Sequence, residues 1–140
     1  MNVTNINRKL FDELFARAES NERKRINYDL RTSVNDGGQR MLNALLPGTK
    51  VPIHRHPMSN ENVILLCGKL VEVIYEQEQT SDNEALRESE RILLDVATGN
   101  YGCVVPAGAW HTVEVLEPSI IYEAKDGKYG EDGSENFDAK

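Results

Sequence analysis

The stretch that decides the fold is residues 48–68, GTKVPIHRHPMSNENVILLCG. It places His54 and His56 one residue apart, and Glu61 follows after a short turn. The chain has 3 histidines, so most of its histidine lies in this one segment. Because residues i and i+2 of a strand point to the same face, the two imidazoles project side by side. Two imidazoles on one face make half of a metal site.

Two further side chains can reach the same point. Glu61 begins the next strand-like run, so a hairpin can fold its carboxylate back towards the two histidines. The third histidine, His111, follows a Pro-Ala-Gly turn and opens another β-branched run. A single histidine on an apolar face is more often a satisfied core residue than a ligand. Because every histidine here lies on a strand-like segment next to a turn, the pattern favours a site of three nitrogens and one oxygen.

The rest of the chain consists mainly of short apolar runs joined by Gly and Pro, which predicts about six to eight strands in an all-β sandwich or barrel. Residues 7–18 carry one apolar stripe at helical spacing, which predicts a helix packed outside the sheet. The polar residues 19–27 and 76–90 are interpreted as a surface turn and a hairpin loop. We therefore divide the chain into an N-terminal helical extension (1–35), a barrel (36–125) and a C-terminal tail (126–140).

The composition limits the class of protein. A chain of 140 residues with 39% hydrophobic and 28% charged residues suits one globular domain. The net charge of −7 argues against nucleic-acid binding. No apolar run reaches the roughly 18 residues that a membrane span needs, and the N-terminus lacks a signal core, which favours a cytoplasmic location. Two cysteines, Cys67 and Cys103, are expected to be buried reduced thiols.

These motifs resemble those of the cupin superfamily. Residues 48–68 read G-x5-H-x-H-x4-E-x6-G, the first cupin motif, and residues 106–111, PAGAWH, carry the P-x-G-x-x-H of the second. Asn100 stands in place of the second motif's opening glycine and Val115 in place of its final asparagine, which affects turn geometry and not coordination. The resemblance implies a jelly-roll β-barrel that binds one divalent transition metal (Fe, Mn, Ni, Co or Zn). The ligands that it implies are His54, His56, Glu61 and His111.

Stretches outside the motifs are similar to the WbuC family of cupin-fold metalloproteins. They are RINYD at 25–29, QRMLNAL at 39–45, PAGAWHTV at 106–113 and YEAKDGKY at 122–129. This resemblance implies a connection with bacterial surface-polysaccharide metabolism. Asp29 stands where that family often has a histidine, so the donor and charge at this position differ.

Side chains on the neighbouring strand-like runs are candidates for contact with a small-molecule ligand. Arginine and lysine can bind a carboxylate or phosphate, and amide side chains can orient a sugar hydroxyl. A surface or structural role is the alternative for each of them. The candidates are Arg25, Asn27, Asp29, Gln39, Arg40, Asn43, Glu123, Lys125 and Tyr129.

Three functions stay open at this point. The first is a metal-dependent enzyme that isomerises, epimerises or oxygenates a small sugar-derived or carboxylate substrate. The second is a non-catalytic module that binds a sugar or acid with the help of the metal, and the third is a structural metal site. An open coordination position favours the first two, and an acid or base placed beside the ligand favours an enzyme. Cupins are often dimers, so a homodimer is also expected.

Overall fold

The computed structural model describes residues 2–80, 83–128 and 131–137. Within these residues the chain forms one α-helix and an eight-stranded sheet, which confirms the all-β class. None of the helices among them has the length and hydropathy that a membrane span requires. The elements are α1 (Arg8–Glu19), β1 (Arg25–Asp29), β2 (Gly38–Leu45), β3 (His54–Arg55), β4 (Glu61–Thr80), β5 (Asn83–Asp95), a 3-10 helix (Val96–Thr98), β6 (Gly102–Val105), β7 (Trp110–Asp126) and β8 (Glu135–Asn136).

The sheet is antiparallel and curls into a half-barrel of the cupin jelly-roll type. Strand β7 is its centre, since it pairs with β2, β3 and β4. Strand β1 extends the sheet beyond β2, and β8 extends it beyond β3. Strand β4 also pairs with β5 and β6. The start of β4 pairs with the end of β7, Asn62 with Ala124, and the start of β7 pairs with the middle of β4, His111 with Ile74. The curl of the sheet nevertheless brings the first residues of β3, β4 and β7 close together in space.

The two faces of the curled sheet pack into separate cores. The inner cluster includes Leu45, Val63 and Ile121, while the outer cluster joins Leu42 and Ala44 to helix α1. Because side chains alternate along a strand, neighbouring residues of β2 belong to opposite cores. The expected helix packed outside the barrel is therefore confirmed.

The closing glycine of the first cupin motif lies at an irregularity between β4 and β7. Gly68 has a φ of 91°, and a Cβ at this position would lie 2.2 Å from the carbonyl oxygen of Pro118. Only glycine avoids both the left-handed strain and this clash. The pairing register of β4 and β7 shifts at this point, between Cys67 and Lys69.

Two local interpretations of the polar segments were wrong. The surface turn over residues 19–27 gives way to strand β1 at Arg25. In the segment interpreted as a loop over residues 76–90, residues 76–80 and 83–90 are instead part of the antiparallel β4–β5 ribbon, whose described side chains there are almost all exposed. A two-stranded ribbon with solvent on both faces needs no apolar alternation, so its polarity resembles that of a loop. The division into extension, barrel and tail stays a prediction, although β1 and β8 both join the sheet.

Candidate metal centre

Four side chains from the starts of three strands converge at one point in the barrel. His54 opens β3, and His56 follows immediately after that strand. Glu61 opens β4, and His111 is the second residue of β7. The antiparallel pairing sets His54 directly opposite His111. The structure thus brings together the set that the motifs imply, here called the His3Glu cluster.

The distances within the His3Glu cluster suit a single ion. One nitrogen or oxygen from each of the four residues lies within 4.8 Å of all the others. Oε2 of Glu61 is 2.7 Å from Nε2 of His56, and Oε1 of the same carboxylate is 3.5 Å from Nε2 of His111. The ring centroids of His54 and His111 are 4.2 Å apart. Three imidazoles and one carboxylate are donors that divalent transition metals accept.

Hydrogen bonds to the outer nitrogen of two histidine rings, Nδ1, leave the other nitrogen, Nε2, facing the centre of the His3Glu cluster. Nδ1 of His54 lies 2.8 Å from the carbonyl oxygen of Pro52, and Nδ1 of His111 lies 2.9 Å from that of Ala109. A carbonyl oxygen can only accept, so each Nδ1 carries the proton and each Nε2 keeps its lone pair. This is the tautomer that a metal-binding histidine requires when Nε2 is the ligand.

The inner nitrogens of two histidines lack an ordinary protein partner. In the described part of the chain, Nε2 of His56 and Nε2 of His111 are buried without a well-aligned hydrogen bond. An unpaired buried polar atom costs about 1–3 kcal/mol. A cation at the centre of the cluster would satisfy both atoms, so the residues present fit a divalent transition metal.

The electrostatics favour the protonation states that metal binding needs. Burial, followed by the neighbouring His111, lowers the pKa of His54 to about 4. Burial alone would raise the pKa of Glu61, but the neighbouring imidazoles of His111 and His56 outweigh it and lower that pKa. A neutral imidazole and an ionised carboxylate are the forms that bind a metal.

A cavity of about 500 Å³ extends from the His3Glu cluster into the barrel. All four cluster residues line it. Side chains alternate between the two faces of β1, β2 and β7, so every second residue of these strands faces the cavity. This explains which of the expected ligand-binding residues line it. Those residues are Arg25, Asn27, Gln39, Asn43, Glu123 and Lys125.

Three of the expected ligand-binding residues are not among the cavity-lining residues. Asp29 is exposed at the end of β1, where it forms an ion pair with Arg31 at 2.8 Å. Arg40 has the opposite parity to Gln39 on β2 and pairs with Asp36 at 3.0 Å. The structure therefore does not support a ligand-binding role for Asp29 or Arg40. Tyr129 lies outside the described residues.

The cavity also contains acidic groups that the sequence interpretation missed. Glu72 is 1% exposed, and its Oε2 has no hydrogen-bond partner within the described ranges. Burial, followed by the charge of Glu61, raises the pKa of Glu72 well above its usual range. The sequence did contain a signal for this residue, namely an acid between Val71 and Val73. A strand segment that faces a core rarely contains an acidic residue. Asp132 and Ser134 also line the cavity, but they come from the tail, which has no hydrophobic period to place them.

The protein thus has a fold of the cupin type with a candidate metal site, the His3Glu cluster. Residues 6–86 match the profile of a family described as a domain of unknown function, DUF6016, and the chain belongs to that family. The matched segment includes His54, His56 and Glu61 but ends before His111. No curated protein is significantly similar in sequence.

Solved structures support the fold. An oxalate oxidase bound to the substrate analogue glycolate is 16% identical, with a TM-score of 0.56 over 84% of this chain and 57% of that chain. The oxalate decarboxylase of Lactobacillus farciminis, in a formate complex, is 16% identical, with a TM-score of 0.52 over 81% of this chain and 30% of that chain. Protein TT1209 from Thermus thermophilus is 25% identical, with a TM-score of 0.51 over 76% of this chain and 87% of that chain. The chain thus spans little more than half of the oxidase.

Proposed function

We propose that the protein is a metal-dependent cupin enzyme that acts on a small sugar-derived or carboxylate substrate. The observation that carries the proposal is the shared cavity, onto which the His3Glu cluster and two acids of raised pKa, Glu72 and Glu123, all open. A site that only held a structural metal would have no need of such a cavity. A site that only bound a ligand would have no need of two acids in the same cavity as the metal ligands.

The metal supplies the electrophile when it is bound. The three histidines and Glu61 would hold the ion, which would act as a Lewis acid towards a substrate oxygen. This donor set fits Fe, Mn, Ni, Co or Zn. The carboxylate leaves the loaded site with a net positive charge, which favours anionic oxygen ligands.

Glu123 is the residue that we assign to proton transfer. Burial, followed by the charge of Glu61, raises the pKa of Glu123 to about 8. The side-chain amide of Asn43 donates a hydrogen bond to Oε1 of Glu123 and fixes its orientation. A bound cation would lower this pKa towards neutrality, where a general acid or base is most effective.

The cavity wall formed by β1 and β2 would hold the remainder of the substrate. Arg25 and Asn27 of β1 face the cavity beside Gln39 of β2. The guanidinium of Arg25 donates to the carbonyl oxygen of Lys50 at 3.0 Å, which keeps its charge near the cavity wall. A guanidinium beside amide side chains suits a molecule that has both a carboxylate or phosphate and hydroxyl groups.

The similarity to the WbuC family adds a setting to this proposal, namely bacterial surface-polysaccharide metabolism. A sugar acid or an activated sugar fragment would match both that setting and the polar wall of the cavity. The homodimer and the cytoplasmic location stay predictions.

A turnover experiment tests the proposal. The metal-loaded protein is incubated in D2O with hexuronic acids and ketohexoses, and NMR follows deuterium incorporation while an oxygen electrode follows O2 uptake. We expect metal-dependent turnover of at least one compound. Replacement Glu123→Gln should slow it by about 100-fold or more, the usual contribution of a general acid or base.

The matched control is Glu117→Gln, which alters an exposed glutamate of the same strand and should leave turnover unchanged. Saturable binding of these compounds with neither exchange nor O2 uptake would instead identify the protein as a non-catalytic binding module.

A further inference from the structure

The C-terminal residues 131–137, here called the tail segment, lie against the metal centre. Strand β8 of this segment pairs with β3 and sets Asn136 opposite His54. The amide of Phe137 donates to the carbonyl oxygen of Ile53 at 2.8 Å, and its ring packs edge-on against Trp110 at 5.3 Å between centroids. This segment is thus attached to the strand that carries the first histidine.

A chain of polar contacts leads from the tail segment to the second histidine. Nδ1 of His56 lies 2.6 Å from Oγ of Ser134, and that hydroxyl lies 2.5 Å from Oδ2 of Asp132. An ionised carboxylate can only accept, so Ser134 donates to Asp132 and accepts from the Nδ1–H of His56. Lys125 binds the same carboxylate, and both charged side chains are almost fully buried.

The Nδ1 atom of His56 has a hydrogen-bond partner that is distant in sequence, unlike the Nδ1 atoms of the other two histidines. The Nδ1 atoms of His54 and His111 bind carbonyl oxygens only two residues away, which the local strand geometry provides. The partner of His56 is 78 residues away. The orientation and tautomer of His56 therefore depend on whether the tail segment is docked.

We propose that the tail segment is part of the metal centre, with Ser134 and Asp132 as positioning residues for His56. Metal binding and docking of the tail segment are then coupled, and the coupling acts in both directions. Docking would orient the Nε2 lone pair of His56 towards a metal ion, and the ring orientation that binds the ion would be the one that contacts Ser134. This inference rests on the metal site of the proposed function.

Zinc binding to the full-length, metal-free protein tests the inference. The dissociation constant is measured by competition with a chromophoric chelator. Replacement Ser134→Ala should weaken Zn²⁺ binding about 10- to 100-fold, the usual effect of removing the hydrogen-bond partner of a metal-binding histidine. Replacement Ser134→Thr retains the hydroxyl and should restore most of the affinity.

The matched control is Glu135→Gln in the same segment. Glu135 pairs with Arg55 and has no contact with His56, so its replacement should change the affinity for Zn²⁺ by no more than a few-fold.

Hydrogen exchange measures the reciprocal effect. Zn²⁺ should slow the exchange of the Phe137 amide and its neighbours in the wild-type protein, and this protection should be largely lost in Ser134→Ala. Equal Zn²⁺ affinity of the wild type and a folded Ser134→Ala variant would overturn the inference. Should that variant not fold, the absence of Zn²⁺-dependent protection in the wild type would overturn it. Failure of the wild type to bind Zn²⁺ at all would instead contradict the metal site itself.

Discussion

Replacement His56→Ala is expected to lower the affinity for a divalent transition metal by more than about 100-fold while the barrel stays folded. Removal of a residue that only hydrogen-bonds a metal ligand lowers metal affinity about 10- to 100-fold. Removal of the ligand itself should lower the affinity further. His56 lies just beyond β3 and outside both hydrophobic clusters, which is why the fold should survive. Chelator competition measures the affinity, and circular dichroism measures the fold.

Arg55→Ala is the control for this variant because it changes the adjacent residue on the opposite face. The Arg55 guanidinium lies 4.4 Å from the ring centroid of Trp110, away from the cluster. Its loss should leave metal affinity within a few-fold of the wild type. Undiminished metal binding by a folded His56→Ala variant would show that His56 is not a ligand.

The second large expected effect is a loss of stability of the metal-free protein as pH rises, caused by ionisation of Glu123. The pKa of this carboxyl is about 8 in the folded state, against a usual 4.5, because of burial and then the charge of Glu61. The folded state therefore holds this proton more tightly than the unfolded state. The stability that follows is fully present below pH 4.5 and is lost as pH rises through about 8. A shift of this size corresponds to about 5 kcal/mol at full ionisation.

Replacement Glu123→Gln removes this titration. The variant should become more stable than the wild type by several kcal/mol at pH 9, while the two should differ little near pH 4. The variant must be compared with the wild type at each pH because His54 has the opposite effect on stability. Burial, and then His111, lowers the pKa of His54 to about 4. Its titration therefore raises the stability of the folded state as pH rises from 4 to 6.5.

Urea unfolding of both proteins across this pH range gives the difference directly. Glu117→Gln, in an exposed residue of the same strand, should follow the wild type at every pH. A stability difference between Glu123→Gln and the wild type that does not change with pH would contradict the assigned pKa.

The sequence predicted the metal cluster and the fold because their physical signals are local. The single residue between His54 and His56 sets their shared face, and the motif glycines mark turns that only glycine can adopt. These features need no knowledge of distant contacts.

Other features could not be predicted because they depend on contacts between distant segments. Asp132 and Ser134 reach the centre only because the tail segment returns to pair with β3. Asp29 was a candidate because of the WbuC resemblance, but the cavity-lining part of β1 includes Arg25 and Asn27 and not Asp29. The burial of Glu72 depends on the surrounding barrel, since its own strand runs on into an exposed ribbon.

The central claim is that the His3Glu cluster holds a metal, and elemental analysis of protein made without a metal-affinity tag tests it most directly. We expect about one divalent transition metal ion per chain in the purified wild-type protein, and its loss in His56→Ala. Wild-type protein that is folded, contains no transition metal and takes none up when Mn²⁺, Fe²⁺, Co²⁺, Ni²⁺ or Zn²⁺ is supplied would contradict the claim.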